Sequence, residues 1–209
     1  MYTLYARVGS GSAAVEAVLA ECGVEFQVVD IPREGDGHKD YLNINPRGEV
    51  PSLRLSDNSL MTESAAIIIY LADLYPAARL APALDSPLRG TYLRWILYFA
   101  SAVYMADLRY FYPARHSVDN GAADGIKAQA KLDMNRDFAI FAKALGKGPY
   151  ILGEVISAAD IYAAMLVSWV PDVKTLFARH PNIKRHYELV AARPKVNPMW
   201  KRNDMLFHE

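Results

Sequence analysis

A chain of 209 residues with 52% apolar and 22% charged side chains has the composition of a folded globular protein, long enough for one large domain or two small ones. Its 23 Lys and Arg balance 23 Asp and Glu with no long run of one sign, which excludes the basic footprint of a nucleic-acid binder and fits a small or neutral partner. The longest apolar stretches, such as Ala65 to Ala72, are too short to cross a bilayer, no basic-then-apolar leader opens the chain, and the single cysteine, Cys22, leaves no disulfide framework or cysteine-based zinc site, so a cytoplasmic protein is expected.

The first eighty or so residues alternate short strand-like and helix-like segments. Tyr2 to Tyr5 is β-prone, Ala13 to Glu21 has helical apolar spacing, Gly23 stops it, and Glu25 to Ile31 reads as a second strand. A polar stretch, Arg33 to Lys39, and a short Tyr41-Leu42 turn lead to Asn45-Pro46-Arg47-Gly48-Glu49-Val50-Pro51, dense in turn chemistry. Ser52 to Leu55 and Ser59 to Met61 form two short β runs around Asp57-Asn58, followed by an apolar helix from Ser64 to Leu74. The Ala- and Pro-rich stretch Ala77 to Pro87 reads as a linker, and all that follows reads as helix: Pro87 to Tyr112, Asp124 to Leu145, Ala158 to Val170, Val173 to Arg179 and Ile183 to Ala192. The expected architecture is a small α+β domain (1–78), a linker (79–87) and an all-helical domain (88–209).

Three segments of the first domain have the chemistry of a binding site. Val50-Pro51 lies between a turn and a strand; on its own Pro51 reads as an ordinary proline opening an edge strand, while a cis proline there exposes the main chain of the preceding residue to an extended ligand. Thr62-Glu63-Ser64 opens an apolar helix. Alone it is a plain N-cap, but free N–H groups and the dipole's positive end also suit a carboxylate, with Glu63 placed to take an ammonium. Gly9-Ser10-Gly11-Ser12, between strand and helix, lets backbone and hydroxyls approach a ligand, and the helix N-terminus favours a thiolate. The turn lacks the forms of a phosphate-binding loop or dinucleotide fingerprint. In the second half, Ser157 and Asp160 read as a capping box with Ile156 as its staple, a folding feature worth on the order of 1 kcal/mol.

Strand, Gly-Ser turn and helix, then Asn-Pro-x-Gly-x-Val-Pro, then Thr-Glu-Ser on a helix, then Gly-x-x-Ile-Ser-x-Ala-Asp in a helical half: this order resembles the cytosolic glutathione transferases, with a bacterial, serine-type character, over nearly the whole chain. The resemblance implies a thioredoxin-like glutathione-binding domain, a helical domain holding a small hydrophobic electrophile, a homodimer, and glutathione as co-substrate with no metal. It places Val50 against the cysteinyl part of glutathione, Pro51 as the cis proline, and Glu63 and Ser64 on the γ-glutamyl head. Ser10 takes the catalytic position, with Ser12 second and Tyr5 third. The bacterial cysteine class carries its cysteine where this chain has Gly11, so a mixed-disulfide role has no thiol, and Gly48 and Glu49 depart from the His or Gln of some classes.

The expected activity is conjugation of the glutathione thiol to an electrophile. A hydroxyl hydrogen bond lowers the pKa of the ligand's sulfur, and an apolar pocket adds proximity. Helical spacing and closeness to the Gly-Ser turn suggest Arg7, Tyr104, Leu108, Tyr112 and Trp200 as pocket walls, while the stripe Tyr92, Trp95 and Phe99 reads as core or dimer contact. Isomerisation, dehalogenation or peroxide reduction on the same fold, and a non-catalytic transferase-like interaction protein, stand as alternatives.

Overall fold

The structure, a computed structural model, describes residues 1–207. Its contacts form two units: residues Met1–Ala83 with Ala191–Glu209, and residues Leu84–Val190. Among the described residues, no helix is long and apolar enough to cross a membrane.

The first unit has the thioredoxin-like order expected from the sequence. Strand β1 (Tyr2–Ala6) leads through helix α1 (Ser12–Cys22) into β2 (Phe26–Asp30), and the two strands pair in parallel. After α2 (Asp36–Leu42) come β3 (Ser52–Arg54), antiparallel to β1, and β4 (Leu60–Met61), antiparallel to β3, giving the order β2-β1-β3-β4. Helix α3 (Ser64–Leu74) follows and packs against α1. Alternation along β1 divides the core: Tyr5 clusters with Ile31 and with Tyr41 of α2, and Leu4 points to the other face. Gly23 closes α1 in the left-handed conformation, the C-terminal geometry at which a Cβ is disfavoured. Asn58, at φ 68°, makes the predicted hairpin turn between β3 and β4.

Two features of this unit depart from the sequence reading. The stretch expected as polar loop and turn contains α2, whose single buried residue, Tyr41, leaves no apolar periodicity to detect. The segment from Ala191 onward groups by its contacts with the first unit, where α10 (Val196–Arg202), a helix not foreseen from the sequence, packs on α1. Ion pairs hold it there, Arg193 to Glu21 at 2.7 Å and Arg202 to Glu16 at 3.0 Å.

The second unit is helical. Helix α4 (Arg89–Tyr98) passes through a π-helical turn, Phe99–Val103, into α5 (Tyr104–Phe111), so the long helix predicted from Pro87 to Tyr112 is present but interrupted. Then come α6 (Ala123–Leu145), α7 (Ala158–Ser168), α8 (Val173–Arg179) and α9 (Pro181–Ala191). The aromatic stripe is core: Tyr92, Trp95 and Phe99 are buried, and Phe141 of α6 meets Trp95 and Phe99 edge-on, with centroids 6.1 and 5.2 Å apart. Helix α7 is buried from Ala158 to Val167, as a sequence apolar on every side beyond Asp160 demands. The Ser157–Asp160 capping box opens it, and Asp160 additionally accepts from the Ile151 N–H at 2.8 Å and lies 3.0 Å from His186 Nε2.

Candidate functional site

Strand register brings three loops of the first unit to one end of the sheet. Tyr5, near the exit of β1, pairs with Ser52, at the entrance of β3, and Met61, at the exit of β4, pairs with Leu53. The Gly9–Ser12 turn leaves β1 at that end, Val50-Pro51 enters β3 there, and Glu63-Ser64 leaves β4 there.

At the first loop, Gly9 has φ 71°, a conformation open to glycine, and lets the chain double back so that Ser10 N–H reaches the Arg7 carbonyl at 3.2 Å. Ser10 Oγ donates to the same carbonyl at 2.7 Å and stands 2.8 Å from Ser12 Oγ. Ser10 is half-buried and retains surface for a ligand, whereas Ser12 is fully buried. Tyr5 is also buried; its ring packs on Tyr41 and its phenol oxygen accepts from Arg54 Nε at 3.2 Å.

At the second loop the Val50–Pro51 peptide is cis. The turn before it is held by a buried polar network: the Glu49 carbonyl accepts from Tyr41 Oη and Asn45 Nδ2, each at 2.8 Å, and Tyr41 Oη stands 2.7 Å from Ser52 Oγ. Gly48 has φ 64°, a conformation that favours glycine, and a Cβ there would press on the His38 and Leu42 side chains at 3.0 Å. The Glu49 side chain points to solvent and pairs with Arg47 at 2.9 Å. Tyr41, Asn45 and Ser52 are the residues sequence reasoning missed; the Asn-Pro turn was visible, but the tyrosine that closes the network sits in the unrecognised α2.

At the third loop Glu63 is exposed and occupies the N-cap position of α3 with φ 64° and ψ 102°, a sparsely populated conformation for a residue with a side chain. Its carbonyl accepts the Ile67 N–H at 3.0 Å, and Ser64 begins the helix half-buried. An exposed carboxylate beside the first N–H groups of α3 presents acceptor and donors side by side.

The pocket walls suggested by spacing divide. Arg7 directs Nε to the Ile31 carbonyl and Nη2 to that of Pro32, at 3.0 and 3.1 Å. Trp200 is corrected: it is fully buried, because α10 turns its indole into the packing with α1, and has no surface to offer a ligand. In the second unit Tyr104 stacks against Tyr162 and meets Trp169 edge-on, Leu108 is half-buried one turn later, and Tyr112 is half-buried beneath the Arg115 guanidinium.

Burial shifts two other ionisable groups of the first unit. Burial pushes the Cys22 thiol up to about 11, so it is a poor nucleophile at neutral pH. Burial also raises Glu16, against the opposing pull of Asn203 and Arg202.

Comparison with known proteins agrees with this geometry. Residues 12–74 match the model of the glutathione S-transferase N-terminal domain, and residues 116–201 that of the C-terminal domain. The glutathione S-transferase GstA of Escherichia coli O157:H7 is 27% identical over 196 residues, covering 92% of this chain and 94% of that protein. A glutathione transferase homologue from Sulfitobacter with bound glutathione is 29% identical with a TM-score of 0.88, covering 99% of each chain. A sphingomonad glutathione S-transferase complexed with glutathione is 29% identical with a TM-score of 0.84, covering 98% of this chain and all of that one. With both domains matched in order over most of its length, the chain belongs to the glutathione S-transferase family.

Proposed function

We propose that the protein conjugates the thiol of glutathione to a small hydrophobic electrophile, with Ser10 as the group that activates the sulfur. The observation that carries this reading is the half-buried Ser10 hydroxyl on a turn at the start of α1, at the sheet end shared with Val50-Pro51 and Glu63-Ser64. In this reading the Val50 main chain pairs with the cysteinyl part, Glu63 takes the ammonium of the γ-glutamyl head, and the Ser64 end of α3 takes its carboxylate.

A hydrogen bond from Ser10 Oγ to the sulfur favours the thiolate, and the N-terminus of α1 adds to the effect. The thiol proton leaves to solvent, the sulfur forms a bond to the electrophilic carbon, and in a substitution the leaving group departs with the bonding pair. Tyr5 is less suited to the role, since its buried phenol already serves Arg54, and Ser12 has no surface for a ligand. Tyr104 and Leu108 of α5 and Tyr112 just past its end, all partly exposed, suit an apolar electrophile. The setting of the reaction is the cytoplasm and the working form a homodimer.

Calorimetry with glutathione and turnover of 1-chloro-2,4-dinitrobenzene test the reading together. Binding and turnover in the parent protein, with turnover lost at least tenfold in a folded Ser10→Ala variant, are the expected results. No heat at millimolar glutathione, or an unaffected Ser10→Ala variant, refutes it.

A further inference from the structure

The geometry points to Ser12 as a positioning residue that releases the Ser10 proton toward the ligand's sulfur. This inference rests on the reading of Ser10 above and deepens it.

The argument is a count of hydrogens. Two hydroxyls share three oxygen contacts: Ser10 Oγ to the Arg7 carbonyl at 2.7 Å, Ser12 Oγ to the same carbonyl at 3.1 Å, and the hydroxyls to each other at 2.8 Å. With one hydrogen apiece, they always leave one contact without a proton. Ser12 Oγ also accepts the Arg7 N–H at 3.2 Å, and Ser10 Oγ accepts the Ser12 N–H at 3.3 Å. Ser12 is therefore tethered at both ends of Arg7 and is shut off from solvent, while Ser10 keeps its surface.

Without a ligand, the Ser10 hydrogen rests on the Arg7 carbonyl. Turning it outward to a thiolate costs that oxygen its shortest contact and leaves it the Ser10 N–H at 3.2 Å and the Ser12 hydroxyl at 3.1 Å as donors. Ser12 eases the turn, because its own hydrogen serves either Arg7 O, in place of the one withdrawn, or Ser10 Oγ, with Arg7 O then held by the Ser10 N–H. When it serves Ser10 Oγ, it polarises the outward Ser10 O–H and strengthens that bond. The charged groups nearby are otherwise engaged. The Arg7 guanidinium holds the Ile31 and Pro32 carbonyls, and Glu16, one turn along α1 from Ser12, is held by Arg202 and Asn203.

The test is the pH profile of kcat/KM for 1-chloro-2,4-dinitrobenzene, read beside the ultraviolet thiolate absorbance of bound glutathione. In Ser12→Ala the thiol's ionisation should move up by roughly one pH unit, lowering kcat/KM about tenfold on the acid limb and little on the alkaline plateau, with affinity for glutathione nearly unchanged. Ser12→Thr, which keeps the hydroxyl, should restore the profile. In a Ser10→Ala background, Ser12→Ala should add nothing, because Ser12 acts through Ser10. Should the alanine variant not fold, Ser12→Cys, similar in size but a weak donor, reads the same shift.

An unmoved profile in folded Ser12→Ala, alongside a shifted one in Ser10→Ala, overturns the role of Ser12 and leaves Ser10 standing. Additive shifts in the double variant overturn it too. A Ser10→Ala variant with no shift overturns both the reading of Ser10 and this inference.

Discussion

Arg202 Nη1 stands 3.0 Å from Glu16 Oε2, joining the last helix of the chain to the one that begins at the Gly-Ser turn. Glu16 is 1% exposed, and Asn203 Nδ2 takes the same oxygen at 2.9 Å. The other arm of Arg202 grips both oxygens of Asp30, each at 2.7 Å, so one guanidinium fastens α10 to α1 and to the end of β2. Replacing Arg202 with Ala leaves the Glu16 carboxylate buried and short of its counter-charge. The expected loss is about 3 kcal/mol, the lower part of the range for breaking buried pairs, since Arg202 is itself partly exposed. Urea unfolding of Arg202→Ala at neutral pH checks this, and Glu16→Gln in the same chain should recover part of the loss.

That clasp also marks the limit of what the sequence disclosed. Local signals were strong where one stretch of chain settles its own structure: Gly23 ends α1, Asp57-Asn58 turns the hairpin, and Ser157 with Asp160 opens α7. The order of these signals was enough to resemble a family and to nominate Ser10, Val50 and Glu63. What stayed hidden depends on partners far apart in sequence. Nothing around Arg202 announces Glu16, 186 positions away, and so the packing of α10 on α1 is invisible in the sequence. Tyr41 lay in a seven-residue helix with one buried anchor, too short for periodicity to register, and its network was lost with it. Trp200 reads as a pocket wall on spacing and closeness to the Gly-Ser turn, and only its packing against α1 shows that it is buried.

The Tyr41 network gives a second prediction. Tyr41 Oη and Asn45 Nδ2 both donate to the Glu49 carbonyl, and through it they fix the main chain that enters Val50. Tyr41→Phe keeps the ring against Tyr5 but leaves the Glu49 carbonyl and Ser52 Oγ each one partner poorer. A stability loss of about 1 to 2 kcal/mol is expected, together with a several-fold weaker glutathione affinity and a nearly unchanged kcat. Thermal unfolding, calorimetry and steady-state kinetics on this variant separate the three quantities.

A third concerns Asp160, whose carboxylate is fully buried and accepts from Ile151 N–H, Ser157 N–H and Ser157 Oγ at 2.7 to 2.8 Å. His186 Nε2 is a fourth neighbour, at 3.0 Å. Asp160→Ala strips all of these groups of their partner at once in a site without access to water. A loss of about 3 to 5 kcal/mol is expected, enough to cost the second unit its cooperative unfolding transition near room temperature. Differential scanning calorimetry would register a missing or strongly shifted transition. A shift of only a degree or two would mean that the capping box is dispensable.

Asp107 behaves in the opposite sense, because its carboxyl is buried on α5 with neither oxygen hydrogen-bonded. Burial alone raises its pKa well above the usual carboxylate range, so the folded protein holds this proton after the unfolded chain has released it. The stability contribution is complete below the unfolded value of about 4 and is lost as pH rises from there through the raised folded value. Asp107→Asn removes the ionisation while keeping the shape, and the amide has the same lack of partners as the protonated acid. The variant should match the parent near pH 4 and exceed it in stability at neutral pH, with a flatter dependence between. Urea unfolding of both proteins across that range decides the matter. Parallel curves for parent and variant would mean that Asp107 is ionised in the folded protein and has found a partner.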